Sequence, residues 1–97
     1  MSIELFSSLD IELPCAIKEK IIKEIPKYCN VFFKELTEQE VFYSLSKDMN
    51  FDICFAIEEK EIYVGFNSGS EQRRSKFISD IQALLRKYQI DCDFEEE

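Results

Sequence analysis

The chain has no histidine and no tryptophan, and only two glycines and two prolines. Without an imidazole, a general base working near neutral pH must be a carboxylate or lysine with a strongly shifted pKa. A cysteine nucleophile lacks its usual partner for the same reason. No carboxylate pair stands at a spacing readable as catalytic, so enzyme chemistry is not expected. So few glycines and prolines leave no linker, and residues 1–97 read as one domain with no internal repeat. The four cysteines, Cys15, Cys29, Cys54 and Cys92, form no C-x-x-C pair. A zinc site would have to gather ligands from four separate elements, so no metal and no cofactor is expected. Three of the four sit where a thiol behaves as a small half-buried hydrophobe. No apolar run is long enough to span a membrane, and no secretory signal is visible at the N-terminus. A cytoplasmic setting with reduced thiols is the resulting expectation.

Acid is abundant. Twenty Asp and Glu against twelve Lys and Arg give a formal charge of −8. Such a chain repels nucleic acid. It suits a basic protein partner, or simply solubility. The apolar fraction of 45% is enough for one globular core. At this length there is little core to spare.

The clearest pattern is Phe51 to Asn67. Phe51, Ile53, Phe55 and Ile57 alternate with Asp52, Cys54, Ala56 and Glu58. Beyond a charged turn, Ile62, Val64 and Phe66 alternate with Glu61, Tyr63, Gly65 and Asn67. Period two on both sides of a short break predicts an antiparallel hairpin with one buried face. With Glu58 opposite Glu61, Ile57 meets Ile62, Phe55 meets Val64 and Ile53 meets Phe66. A slip of one residue would turn every apolar side chain outward. Each buried side chain contributes roughly 1.5–3 kcal/mol. Conformational entropy offsets most of that sum, so helices must supply the rest of the core.

Elsewhere the reading is less direct. Met1 to Leu9 carries no decisive pattern and is left unassigned. Asp10 can cap a helix with Pro14 in its first turn, and Ile17, Ile21 and Ile25 then share one face beside Ile22. Pro26 should end this helix. Tyr28 to Lys34 reads as a strand with Cys29, Val31 and Phe33 inward. Phe32 then faces outward, which suggests that the second face is covered or used. For Leu36 to Asn50, Thr37-x-x-Glu40 is a capping box and Leu36 with Val41 a hydrophobic staple. Those signals favour a helix with Val41, Phe42, Leu45 and Met49 inward, although Val41-Phe42-Tyr43 has strand propensity. Ser68-x-x-Glu71 is a second capping box. It opens a long amphipathic helix with Phe77, Ile81, Leu84 and Tyr88 on one face, flanked by Ile78 and Leu85. Ile90, Cys92 and Phe94 alternate with Asp91, Asp93 and Glu95 as a last strand, and Glu96 and Glu97 should fray.

The expected fold is α+β, one mostly antiparallel sheet with helices on one face. Its order is ferredoxin-like, β-α-β-β-α-β, preceded by an N-terminal helix. An antiparallel meander with two helices results if residues 36–46 are strand. Either way one sheet face is left without helices, and the candidate partner-binding residues fall on it: Asp52, Glu58, Glu61, Tyr63, Asp91, Asp93 and Glu95. Like charges side by side in a sheet oppose its stability. Such a face is a candidate for a cationic partner, against the plainer reading that these are solvated surface acids. Tyr63, among the small residues Cys54, Ala56 and Gly65, is a possible interface anchor on a shallow floor. The turn Asn67 to Ser70, with Arg73, Arg74 and Lys76 nearby, could attract an anion. It lacks the glycines of a phosphate loop and reads better as a plain helix start.

In size, acidity, mixed fold and lack of an active-site constellation, the chain resembles small acidic bacterial immunity proteins, which neutralise a co-produced toxin, often a nuclease. No motif carries the resemblance. It implies an acidic face that fills a cationic cleft and excludes the substrate. Two further readings stand beside it. One is a phage- or plasmid-borne nucleic-acid mimic of the anti-restriction or anti-CRISPR type. The other is a structural subunit pairing with another copy through Ile90 to Phe94.

Overall fold

A computed structural model describes residues 3–38, 40–45, 52–58, 60–67 and 69–96. The elements in chain order are β1 (Ile3–Ser8), α1 (Cys15–Tyr28), β2 (Phe32–Leu36), β3 (Val41–Ser44), β4 (Ile53–Ile57), β5 (Glu61–Phe66), α2 (Glu71–Arg86) and β6 (Glu95–Glu96). The strands form one antiparallel sheet in the order β2-β3-β4-β5-β1-β6. The fold is α+β, with β2 to β5 as a meander. The ferredoxin-like order behind an N-terminal helix is not found, because the first helix follows a strand and, among the described residues, no helix separates β2 from β4.

The central hairpin has the expected register. Ile57 pairs with Ile62, Phe55 with Val64 and Ile53 with Phe66, and Glu58 N–H donates to Glu61 C=O. Phe51, read as part of the same face, lies outside the described residues. The unassigned N-terminus is a strand, β1. Ile3, Leu5 and Ser7 stand opposite Phe66, Val64 and Ile62, continuing the apolar face across the sheet. Both helices cover this face. Tyr43, Ile53 and Phe66 lie in one row. The Tyr43 hydroxyl reaches the Ile22 carbonyl of α1, and the Phe66 ring meets Phe77 of α2 edge-on at 5.7 Å. Tyr88 O–H donates to Glu24, tying the end of α2 to α1 at 2.7 Å. Ile21, Ile25, Ile81, Leu84 and Leu85 are fully buried between the layers.

Three local expectations about the helices are corrected. Asp10 does not cap α1; Pro14 occupies that position, and its carbonyl accepts from Ile17 and Lys18 N–H. Nor does Pro26 end the helix, which runs on to Tyr28. A proline lacks the N–H that would bond the carbonyl four residues back. Here that carbonyl belongs to Ile22, and the buried Tyr43 hydroxyl donates to it at 3.0 Å. The vacancy left by the proline is filled from the sheet. The strand expected from Tyr28 therefore begins only at Phe32, after Asn30 turns the chain at φ 55°. Cys29 and Val31 are buried as read, whereas Phe33 is exposed.

The capping box at Thr37 is the third correction. Thr37 Oγ1 does accept from Glu40 N–H, but Thr37 N–H also donates to Glu40 C=O, and these two residues close a β-hairpin between β2 and β3. Val41, Phe42 and Tyr43 then pair with Phe55, Cys54 and Ile53 as strand β3. Met49 lies outside the described residues, as does Ser68. The side chain that caps α2 is Ser70, whose Oγ accepts from Arg73 N–H. At the C-terminus only Glu95 and Glu96 join the sheet, so Glu96 is paired, not frayed, and Ile90–Phe94 is an extended segment outside any ladder. Its alternation still holds, since Cys92 is buried and Asp91 and Asp93 are exposed.

Candidate functional site: an acidic groove beside an aromatic pair

The helix-free face is built in rows by the strand register. Ala56, Tyr63, Phe6 and Glu95 stand side by side across β4, β5, β1 and β6. The next row runs Phe42, Cys54, Gly65, Glu4. Glycine at 65 leaves room for what lies over it, since a Cβ there would overlap the Tyr63 hydroxyl. The tyrosine ring is thereby laid flat along its strand. Its hydroxyl donates to Glu4 Oε1 at 3.2 Å, and the ring sits 5.1 Å from that of Phe6. Burial, reinforced by the charge of Glu4, pushes the Tyr63 phenol up to about 12. On the same face the Cys54 thiol donates to Glu40. Burial first, then this bond and the charge of Glu40, push the thiol up to about 12. Burial raises Cys29 and Cys92 as well. Thiols held protonated in this way are poor nucleophiles.

Beside the aromatic pair lies a groove of about 670 Å³. Its floor is Phe6, Ser7 and Ser8, and its rim is Glu61, Asp91, Asp93, Glu95 and Glu96. Two contacts hold the rim in place. Asp93 N–H donates to the buried Ser7 hydroxyl at 3.1 Å, and Gln82 Nε2 donates to Cys92 C=O at 2.9 Å. The segment carrying Asp91 and Asp93 is thus fixed along β1 without a ladder. Asp91 lies 3.9 Å from Arg86, both well exposed. An ion pair of that kind contributes little.

The sequence-derived site residues divide accordingly. Glu61, Asp91, Asp93 and Glu95 come together on one groove, and Tyr63 lies next to it through Phe6. Glu58 is exposed at the end of β4, outside the groove lining. Asp52 must be withdrawn from a partner-facing role. It precedes β4, is only 4% exposed, and its Oδ2 accepts from Leu45 N–H at 3.0 Å. It ties the end of β3 to the start of β4. Sequence reasoning missed Glu4, Phe6 and Glu96. The signal for the first two was the alternation of Ile3 and Leu5 with Glu4 and Phe6, too short to stand alone.

Charge is also divided between the helices and the rest of the chain. The two helices hold eight of the twelve bases and four of the twenty acids, a net charge of +4, and the rest of the chain carries −12. Among the described residues no group of His, Cys, Asp or Glu is placed to hold a metal ion, and no helix is long and apolar enough to cross a membrane. Comparison with protein-family models, curated proteins and solved structures finds no match to this chain. The class that fold and site define is a small α+β protein with an acidic groove along the β1–β6 edge of its sheet.

Proposed function

We propose that this chain is a binding protein that neutralises a basic partner, an immunity protein whose acidic surface blocks the active site of a cognate nuclease-type toxin. The observation that carries the reading is the gathering of Glu61, Asp91, Asp93 and Glu95 around one groove. The carboxylates take the positions that substrate phosphates would occupy, and the Phe6–Tyr63 pair supplies an apolar anchor beside them. Acids collected on one rim beside aromatics suit a tailored protein interface better than nucleic-acid mimicry, which needs regular spacing along a surface. The excess of acid outside the two helices suits a cationic partner. Association is then fast and weakened by salt.

The test is protection of cells. The gene adjacent to this one is expressed with the wild-type chain or with the Asp91→Lys, Asp93→Lys, Glu95→Lys triple variant. The wild type should suppress toxicity and the triple variant should not, with the thermal midpoint of the two proteins nearly equal. Protection by the triple variant equal to that by the wild type would remove the groove from the function.

A further inference from the structure

We propose that this protein pairs with a second copy of itself through β2, joining the two sheets into one across a two-fold axis. The sheet has two edges, and they differ in kind. β6 is two residues long and both are glutamates, and short charged edges resist pairing. A two-fold contact there would also set like charges together. The expectation that Ile90 to Phe94 pairs with another copy is therefore replaced.

β2 is the opposite case. Among the described residues it has a neighbour on its β3 side only. Phe32, Phe33 and Leu36 are 44%, 52% and 61% exposed, the large apolar side chains of a five-residue strand. Its backbone is also set to pair. Thr37 N–H bonds Glu40 C=O, so by the alternation of antiparallel ladders the N–H and C=O of Leu36, opposite Val41, point away from β3. A bulge between Phe33 and Glu35 inserts Lys34 as an extra residue. Counting across it, the backbone of Phe33, opposite Tyr43, points outward as well.

The bulge has a second effect. Phe33 and Leu36, three apart, would lie on opposite faces of a regular strand; here both lie on the helix-covered side, opposite Tyr43 and Val41. An antiparallel second copy can therefore set Phe33 against its Leu36, and the two-fold axis repeats the match in the other direction. One base and one acid, Lys34 and Glu35, lie between the apolar pair, so the axis sets opposite signs across the centre. The match is self-complementary in backbone, shape and charge.

The exposed parts of the three side chains amount to roughly 300 Å² of apolar surface per copy, taking about 200 Å² for each whole side chain. A standard stable interface covers about 800 Å² per partner. The dimer is therefore concentration-dependent. It forms at the end of the sheet away from the groove and leaves both grooves open. Sedimentation of the full chain from micromolar to near-millimolar concentration tests it. The expected result is a mass rising from 11.5 kDa toward twice that value, with slowed amide exchange at Phe33 and Leu36. Leu36→Lys alters an exposed side chain, and Leu36→Pro deletes an outward N–H; each should raise the concentration needed by about tenfold or more. A monomer at every concentration, or a dimer that Leu36→Lys leaves unchanged, would overturn the proposal.

Discussion

The survival of α1 past Pro26 rests on one hydroxyl, and removing it gives a quantitative test. Tyr43 is fully buried and its O–H donates to Ile22 C=O at 3.0 Å. In Tyr43→Phe the ring and its edge contact with Phe33 remain, but the Ile22 carbonyl loses this donor in a part-buried position. A carbonyl so stranded costs about 1–3 kcal/mol. For a domain of this size each kcal/mol lowers the thermal midpoint by about 4–8 °C. Pro26→Ala restores the missing N–H four residues on, and in that background the carbonyl keeps a helical partner. The same Tyr43→Phe change should then cost about 1 kcal/mol, the ordinary value of a lost bond. The assay is a double-mutant cycle in urea, followed by helical circular dichroism, with all four proteins at one pH. The two costs differ by up to about 2 kcal/mol, and a coupling above the roughly 0.5 kcal/mol within which independent sites add is expected. Additive single effects would show that the hydroxyl does not compensate for the proline.

Asp52→Ala should lower stability by about 1–3 kcal/mol through loss of the Leu45 N–H bond, seen as a fall in urea midpoint, while the charge-reversed rim variant keeps the wild-type midpoint. The reverse pattern would return Asp52 to the surface and make the rim structural. Alkaline pH should destabilise the protein through its buried thiols. Burial pushes Cys29 and Cys54 from an ordinary 9.0 up to about 12, so the unfolded chain releases protons that the folded chain holds. The stabilisation they give is complete below pH 9.0 and is lost as pH rises toward about 12. Urea midpoints taken between these limits should fall less steeply for Cys29→Ala/Cys54→Ala, and an unchanged slope would assign the decline to other groups.

What the sequence disclosed follows from how far each signal reaches along the chain. The β4–β5 hairpin was legible to the residue because its partners are neighbours and its period is unambiguous. α2 was legible for the same reason, with Phe77, Ile81, Leu84 and Leu85 all buried. Thr37 and Glu40 show where such reading stops. The Thr37 Oγ1 to Glu40 N–H bond that marks a helix start also closes a hairpin turn, so the motif alone cannot choose. The choice falls to strand, because Val41 and Tyr43 find buried rows against Phe55 and Ile53. Pro26 is the same lesson in reverse: the residue that rescues its helix lies 21 positions beyond the carbonyl it serves.

The groove combines both situations. Alternation alone put Asp91, Asp93 and Glu95 on the outside of the C-terminal segment and Glu61 on the outside of β5. That these two outsides meet depends on β1, which lies between β5 and β6 and supplies the floor of Phe6, Ser7 and Ser8. β1 gave the weakest sequence signal because it is stabilised less by its own pattern than by the row of Phe66, Val64 and Ile62 beside it. Asp52 follows from the same reasoning. Parity fixes the face on which a side chain leaves the sheet, but exposure depends on whether a neighbouring backbone N–H claims it. Leu45 claims Asp52, whereas Ser7 binds the backbone N–H of Asp93 and not its carboxylate. The acid on the rim keeps its charge at the surface because its main chain, and not its side chain, anchors the segment.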